Sequence, residues 1–491
     1  MSAGVLERWE VVIGLEVHVQ LRTESKLFCG CAVRYGDPPN AHVCPTCLAL
    51  PGALPVLNER AVEYGVRAAL ATHCTVHPRS VFARKNYFYP DLPKGYQISQ
   101  YEEPLATGGW IEIEGQEGSD GKGASFAKRV GITRIHMEED AGKSIHDEAV
   151  AGEGSAVDLN RAGVPLLEIV SEPDLRSAAE AGAYLRTLRA ILRYVDVSDA
   201  DMEKGHFRCD ANVSLRRRGA SELGTRNEIK NLNSFRFVEE AIGLEVARQA
   251  RVLEDGGRIV QATRLYDPAS RQTRVMRTKE NADDYRYFPD PDLVPLTIDA
   301  ALQERVRLHL PELPDQRRTR FEAAFGLSAY DARLLTASRA LADFFEAAAR
   351  AHGNAKAVAN WIGRDVLAAL KDRELEIEQT QLAPEALAAL IALVDAGKVT
   401  AKSARDLLPE LVEKGGDPAA LVKERGLEAV SDTGALEAAA DEVIAANADN
   451  VARYRAGEEK ILNFLMGQVM KKTGGKASPA VVRDLLARKL K

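Results

Sequence analysis

No run of about twenty apolar residues occurs anywhere in the 491-residue chain, which excludes an ordinary membrane-spanning helix. Nor does Met1-Ser2-Ala3-Gly4 open a basic and then apolar leader, so no membrane association and a cytoplasmic location are expected. Six cysteines are too few for the disulfide framework of a secreted protein of this length. A net charge of −7 argues against a uniformly cationic nucleic-acid binder. Glycine-rich phosphate loops are missing as well: Gly142-Lys143-Ser144 has Met137 where such a loop needs its first glycine, and no dinucleotide fingerprint is present. Any nucleotide site must be of another design. Internal repeats are also lacking.

What is present is a globular composition, 45% hydrophobic and 28% charged, long enough for two to four domains. The net charge conceals a split. From Lys460 to Lys491 there are eight Lys or Arg against the single acid Asp484, a net of +7, which leaves −14 on residues 1–459. An acidic body and a basic C-terminal end follow.

The stretch Gly14 to Val19 organises the first half. Strict alternation puts Leu15, Val17 and Val19 on one side of a strand and Glu16, His18 and Gln20 on the other. A carboxylate and an imidazole two residues apart can share one hard cation. Three later segments carry the same kind of face: Thr133 to Asp140 with His136, Glu138, Glu139 and Asp140, Phe207 to Val213 with Asp210 and Asn212, and Thr225 to Asn231 with Glu228 and Lys230. The expectation is one sheet, apolar on one face and lined with carboxylates on the other. Crowded like charges raise one another's pKa, so cations must neutralise them, and magnesium suits carboxylate, amide and water oxygens. Alternation also sets Glu138 and Glu139 on opposite faces if their strand runs through both.

Four of the cysteines pair as Cys29 and Cys31, then Cys44 and Cys47 after a twelve-residue loop. Two close pairs of thiols can converge on a tetrahedral centre that needs no water, which reads as structural Zn2+, contributing on the order of 10 kcal/mol to the order of that loop. Cys74 and Cys209 are expected to be core thiols, and His73, Cys74 and His77 are a weaker candidate for a second metal set.

In chain order, Asn58 to Ala71 reads as a helix with Asn58 as N-cap. The Arg84 to Gln97 segment, with Tyr87, Phe88 and Tyr89 between lysines and two prolines, reads as a loop that could stack a base or could equally plug a core. Glu114 to Ser125 reads as a hairpin tip, and Ser177 to Val195 and Arg236 to Glu254 as helices. From about residue 297 the period becomes helical throughout, in segments 341–349, 355–370, 384–396 and 401–414, with a last helix started by Ser478-Pro479. The predicted fold class is α+β: a largely antiparallel cradle domain over 1–293, a helical domain over 294–405 and an all-α tail over 406–491.

The segments Gly14 to Val19, Arg84 to Asp91, Tyr96 to Gln100, His136 to Lys143, Arg208 to Asn212, Lys230 to Phe235 and Asp284 to Pro289 together resemble the B subunit of the aspartyl/glutamyl-tRNA(Asn/Gln) amidotransferases across the whole chain. The resemblance implies an enzyme that uses ATP to phosphorylate the side-chain carboxylate of Glu or Asp on a misacylated tRNA and replaces the phosphate with ammonia. It implies partners as well: an amidase that supplies ammonia as the A subunit, a small C subunit that completes a heterotrimer, and the misacylated tRNA. It makes the tail a relative of the small YqeY proteins. For this chain it implies Glu16, His18, Glu138, Glu139, Asp210 and Glu228 as catalytic or Mg2+ ligands. Lys94, Glu203, Asn212 and Lys230 would face ATP, and Lys471, Lys472 and Lys476 the tRNA. The zinc set rests on spacing alone. Two competing readings remain, a non-catalytic tRNA-binding adaptor and a stand-alone ligase of free amino acids. The crowded acids oppose the first and the basic tail the second.

Overall fold

The computed structural model describes residues 7–117, 124–145, 154–278, 285–429, 433–473, 477 and 479–490. It divides into two units, Met1–Leu313 and Pro314–Lys491.

The first unit is built on a twelve-stranded sheet. Its central strand is β1 (Trp9–Gln20), whose Leu15, Val17 and Val19 are buried while Glu16, His18 and Gln20 stay partly open, as the alternation predicts. The strands that matter to the polar face are β2 (Phe82–Asn86), β3 (Tyr96–Gln100), β4 (Ala106–Gln116), β5 (Ser125–Glu139), β6 (Pro165–Ser171), β7 (Phe207–Arg217), β8 (Asn227–Leu232), β9 (Ala262–Asp267) and β10 (Gln272–Thr278). They lie in the order β10-β9-β8-β7-β1-β6-β5-β3-β2, with β4 pairing along the outer length of β5. Every pair is antiparallel except β8 with β9.

Helices α1 (Glu59–Ala71), α2 (Ala178–Tyr194) and α3 (Phe235–Glu254) cover the apolar face. Each begins where a side chain satisfies the free N–H groups of its first turn. Asn58 accepts from Arg60 and Ala61, Ser177 from Glu180, and Ser234 from Phe237. Because these helices cover one face of the sheet, the apolar residues lie on that face and the polar ones are left to the opposite side.

Register aligns that polar side. Antiparallel pairing sets Arg134, Val170, Glu16 and Asp210 in one row across β5, β6, β1 and β7. The next row is His136, Glu168, His18 and Arg208, and the next Glu138, Leu166 and Gln20. A slip of one residue in β1 would exchange Glu16 and His18 for Leu15 and Val17.

The described residues of the second unit are helical apart from their connections, and the chain as a whole is α+β. They form two apolar clusters, one drawn from Phe321 to Val422 and one from Leu436 to Leu490. The segment expected as one helix over 355–370 is three: an α-helical turn to Trp361, a wide π-type turn over Ile362–Val366, and a short helix Leu367–Lys371. The wide turn contains Gly363, where a Cβ would stand 3.1 Å from Leu334. The helix over 401–414 matches the observed Ala401–Lys414, Pro409 included. No helix among the described residues is long and apolar enough to cross a membrane.

Two glycines of the first unit test how closely its layers fit. A Cβ on Gly109 would lie 2.5 Å from the Thr72 carbonyl oxygen and 2.2 Å from Cys74 Sγ, whereas one on Gly243 in α3 would meet nothing within 4 Å. Gly109→Ala is predicted to lower unfolding stability by about 1–3 kcal/mol through overpacking. Gly243→Ala should raise it by about 0.5–1 kcal/mol through helix propensity. Urea unfolding of both variants checks the pair, and equal midpoints would contradict the packing described.

Candidate active site

The polar face of the sheet floors a cavity of about 280 Å³. Glu16 and His18 come from β1, His136 and Glu138 from β5, Glu168 from β6, Asp210 and Asn212 from β7, Glu228 and Lys230 from β8, and Thr263 from β9. Lys85, Ser99, Tyr101, Arg134, Tyr285 and Tyr287 also line it.

Two groups of charges make up the floor. In the first, His18 Nε2 lies 3.5 Å from Glu138 Oε1 and 3.3 Å from Glu168 Oε2. His136 Nε2 lies 3.2 Å from Glu168 Oε2 and 3.8 Å from Glu138 Oε2. Burial works against charge on both imidazoles, but the Glu168 and Glu138 carboxylates prevail: His18 is raised, and His136 is pushed up to about 9. Burial likewise opposes charge on the carboxyls, yet Glu168 is held well below the usual range, chiefly by His136, and Glu138 is also lowered. The imidazoles and carboxylates thus favour one another's charged forms. His18, Glu138 and Glu168 each offer a ligand atom within 4.8 Å of the others, a nitrogen and two oxygens suited to a hard divalent ion.

In the second group, Lys230 Nζ lies 2.6 Å from Asp210 Oδ2 and 3.0 Å from Glu228 Oε1. Thr263 Oγ1 donates to the other Glu228 oxygen at 2.8 Å. Glu16 stands between the groups, and Asn212 Nδ2 donates to its Oε1 at 2.8 Å. Burial and the charges of Glu168, Glu228 and Asp210 push the Glu16 carboxyl up. Its side-chain partner is thus a neutral amide rather than a cation.

The structure therefore gathers Glu16, His18, Glu138, Asp210, Asn212, Glu228 and Lys230. It sets Glu139, Lys94 and Glu203 elsewhere. Strand β5 runs through both glutamates, so alternation turns Glu139 away, where it pairs with Lys94 and accepts from the Ile98 N–H at 2.9 Å. Glu203 is exposed on a turn whose N–H groups bond Asp201. Lys471 and Lys472 are exposed on the helix Ile461–Lys472, Lys472 paired with Glu442, and Lys476 lies outside the described residues.

Sequence reasoning missed Glu168 and left His136 without a role. Glu168 did carry a signal: it is a lone acid inside Leu166-Leu167-Glu168-Ile169-Val170, a run otherwise fit for burial. The second metal set considered at residues 73–77 is spoken for. His73 stacks on Trp110 at 3.9 Å, Cys74 is buried, and His77 Nε2 is bonded to Thr107 at 2.9 Å.

The Sγ atoms of Cys29, Cys31, Cys44 and Cys47 also lie within 4.8 Å of one another. Thiolates about 2.3 Å from zinc stand about 3.8 Å apart, so little movement is needed to close such a set. The hydrogen bond from Cys29 lowers the Cys47 thiol while raising that of Cys29.

Residues 11–304 match the model of the GatB/GatE catalytic domain, and residues 343–490 match that of the GatB domain. The chain is 56% identical over 483 residues to the aspartyl/glutamyl-tRNA(Asn/Gln) amidotransferase B subunit of Geotalea daltonii, covering 98% of this chain and 99% of that protein. It is 54% identical over 485 residues to the B subunit of Solidesulfovibrio magneticus (99% and 100%), and 55% over 487 residues to that of an Anaeromyxobacter species (98% and 99%).

The two adjacent glutamates of β5 and the overlooked one of β6 give a direct comparison. Glu168→Gln is predicted to weaken Mn2+ binding at the floor by about 100-fold or more, and Glu139→Gln to leave it within about threefold. Titration followed by electron paramagnetic resonance reads both, and the opposite ranking would show that the ion sits on the other face.

Proposed function

The chain belongs to the GatB/GatE family of amidotransferase B subunits, and from that premise we propose that its sheet face is the site of ATP-dependent transamidation of Glu-tRNA(Gln) and/or Asp-tRNA(Asn). The observation that carries the reading is the convergence of five acids, two imidazoles, a lysine and Arg134 from β1, β5, β6, β7 and β8 on one cavity. An adaptor that only held RNA would gain nothing from such a floor and would repel its ligand.

A carboxylate is a poor acyl donor because its leaving group would be oxide. Transfer of the terminal phosphoryl of ATP to a side-chain carboxylate oxygen gives an acyl phosphate and ADP. Ammonia then attacks the acyl carbon, the C–N bond forms as the C–O bond to phosphate breaks, and one proton is lost to give the amide. His18, Glu138 and Glu168 would hold a Mg2+ ion, which when bound offsets the charge of the phosphates. The protein's own part is positioning. Asn212 fixes the Glu16 carboxylate, Thr263 fixes Glu228, and Lys230 keeps Asp210 and Glu228 together. The four cysteines would hold a structural Zn2+ away from the chemistry. Ammonia would come from an amidase, the A subunit, with a small C subunit completing the heterotrimer, in the cytoplasm.

Glu16→Gln keeps an oxygen for Asn212 while deleting the charge. Acyl-tRNA binding is predicted to stay within about threefold and ATP cleavage to fall by about 100-fold or more. Retained ATP cleavage would favour the adaptor reading. For the tail, Lys471→Ala should reduce the slope of log affinity for tRNA against log salt by about one. A smaller change is expected at Lys472, whose charge Glu442 already meets; equal slopes in both variants and the parent would remove this helix from the RNA surface.

A further inference from the structure

Most charged groups on the floor are already engaged with one another. Lys230 is shared by Asp210 and Glu228, and His18 and His136 face Glu138 and Glu168. Arg134 is different. It stands on β5 in the row that carries Glu16, and it lines the cavity. Val170, its neighbour in that row, has no polar side-chain atom to offer it. Among the described residues the Arg134 side chain makes no hydrogen bond and no ion pair, and its Nε is buried without an acceptor. The guanidinium opposes the rise that burial imposes on the Tyr287 phenol, so it lies within reach of that ring, which stacks on Tyr101 at 4.2 Å. Gln100, at the end of β3, adds a second open donor to the cavity lining. Its Oε1 accepts from the N–H groups of Leu105 at 3.1 Å and Met137 at 3.0 Å, which fixes the orientation of the amide. The Nε2 that remains is buried and meets no acceptor among the described residues. A buried donor without a partner lowers stability, so two such nitrogens in one cavity lining mark a place prepared for acceptor oxygens of a ligand.

We propose that Arg134 and Gln100 bind the side-chain carboxylate of the aminoacyl group, Arg134 supplying the charge and Gln100 a further N–H, and so set the acceptor for phosphorylation. The inference rests on the transamidation reading above. An acyl group with a negative carboxylate must enter a cavity that holds five acids, and it needs a cation not already committed to one of them. Lys85 lies over the Tyr285 ring at 4.8 Å and Arg226 is exposed, which leaves Arg134 as the partly buried guanidinium of the lining. A guanidinium presents its N–H groups as a planar fork that matches a carboxylate, whereas a point charge suffices for phosphate. With one carboxylate oxygen held by these donors, the other is left to accept the phosphoryl group. The held oxygen is then the acyl carbonyl, and the negative charge it gains as ammonia adds falls on the same donors. The amide product keeps that oxygen but not the charge, so it is held more weakly and can leave.

The test compares, on the full chain without ATP, the affinities for one tRNA carrying either the acid or its amide: Glu-tRNA(Gln) against Gln-tRNA(Gln), and Asp-tRNA(Asn) against Asn-tRNA(Asn). The parent should prefer the acid in at least one pair by about tenfold or more, and Arg134→Met should bring the two affinities within about twofold. Arg134→Lys should keep part of the preference. Gln100→Glu, which keeps an oxygen for Leu105 and Met137 but gives up the donor, should lower it. Each reading is a ratio within one protein, so a loss of stability that weakens tRNA binding as a whole does not imitate the result. Affinity for ATP should be unchanged in Arg134→Met. Weaker ATP binding with the preference intact would assign the guanidinium to phosphate and overturn the proposal, as would a parent that does not distinguish acid from amide. Should Arg134→Met fail to fold, an undiminished preference in Arg134→Lys and Gln100→Glu overturns it. ATP cleavage by the parent is scored apart. Cleavage together with a preference that Arg134→Met leaves intact overturns the carboxylate anchor alone, whereas a preference that depends on Arg134 in a parent that cleaves no ATP overturns the transamidation reading and leaves the anchor.

Discussion

The repulsion among carboxylates set on one sheet face is the constraint that the first unit is arranged to meet. Cross-strand neighbours have Cβ atoms about 5 Å apart, a distance at which like charges are destabilising. Glu16 and Asp210 are directly opposite, while Glu138 and Glu168, and Asp210 and Glu228, lie diagonally across neighbouring strands. The answer is local pairing: two imidazoles for Glu138 and Glu168, one ammonium for Asp210 and Glu228, and an amide for Glu16. Each pairing depends on register, and register is fixed by the apolar face beneath. Val17 and Ile169 are buried in the same core as Ile135 and Ala211, so the packing of α1, α2 and α3 decides where every acid stands.

The loops that flank the floor carry the same logic outward. Arg208, level with His18, pairs with Asp140 at 3.0 Å, and Arg161 reaches Asp140 at 3.5 Å while donating to the carbonyls of Ala141 and Gly142. The turn that bears Arg161 also holds Asp158 and Asn160, which accept from the N–H groups of Asn40 and His42 in the cysteine loop. Lys26, fully buried, donates to His42 O and Leu159 O and ties the two loops from below. Hydrogen bonds and ion pairs therefore run from the cysteine loop to the row that contains His18, so disorder in that loop would be felt at the floor through Asp140 and Arg208.

Much of this was legible in the residues. The alternation of β1 named Glu16 and His18 as neighbours on one face, the capping residue Asn58 marked its helix, and the cysteine spacing marked its cluster. Each is a local signal, carried within a few residues of the atoms it concerns. What was not legible is cross-strand. Glu168 joins His18 and His136 only because β6 lies between β1 and β5, and nothing in the run from Leu166 to Val170 states which strands will flank it. The same holds for Glu139 and Lys94. They are near the floor in sequence and opposite it in space, because β5 continues through residue 139 rather than ending before it. Sheet order, not propensity, decides such cases.

Charge links the floor to the far end of the chain in a way that a count of residues conceals. The stretch from Lys460 carries +7, yet Lys472 and Lys489 are met by Glu442 and Asp441, acids of the helix Thr433–Ala446 that lie outside that stretch. Half-compensated lysines contribute little to counterion release, so any RNA affinity of the tail would have to come from the charges left over. On the floor the pairing is closer: five acids face Lys85, Arg134, Arg226 and Lys230 together with two imidazoles. Net charge, in this protein, therefore says less about its ligands than the pairing of each group does.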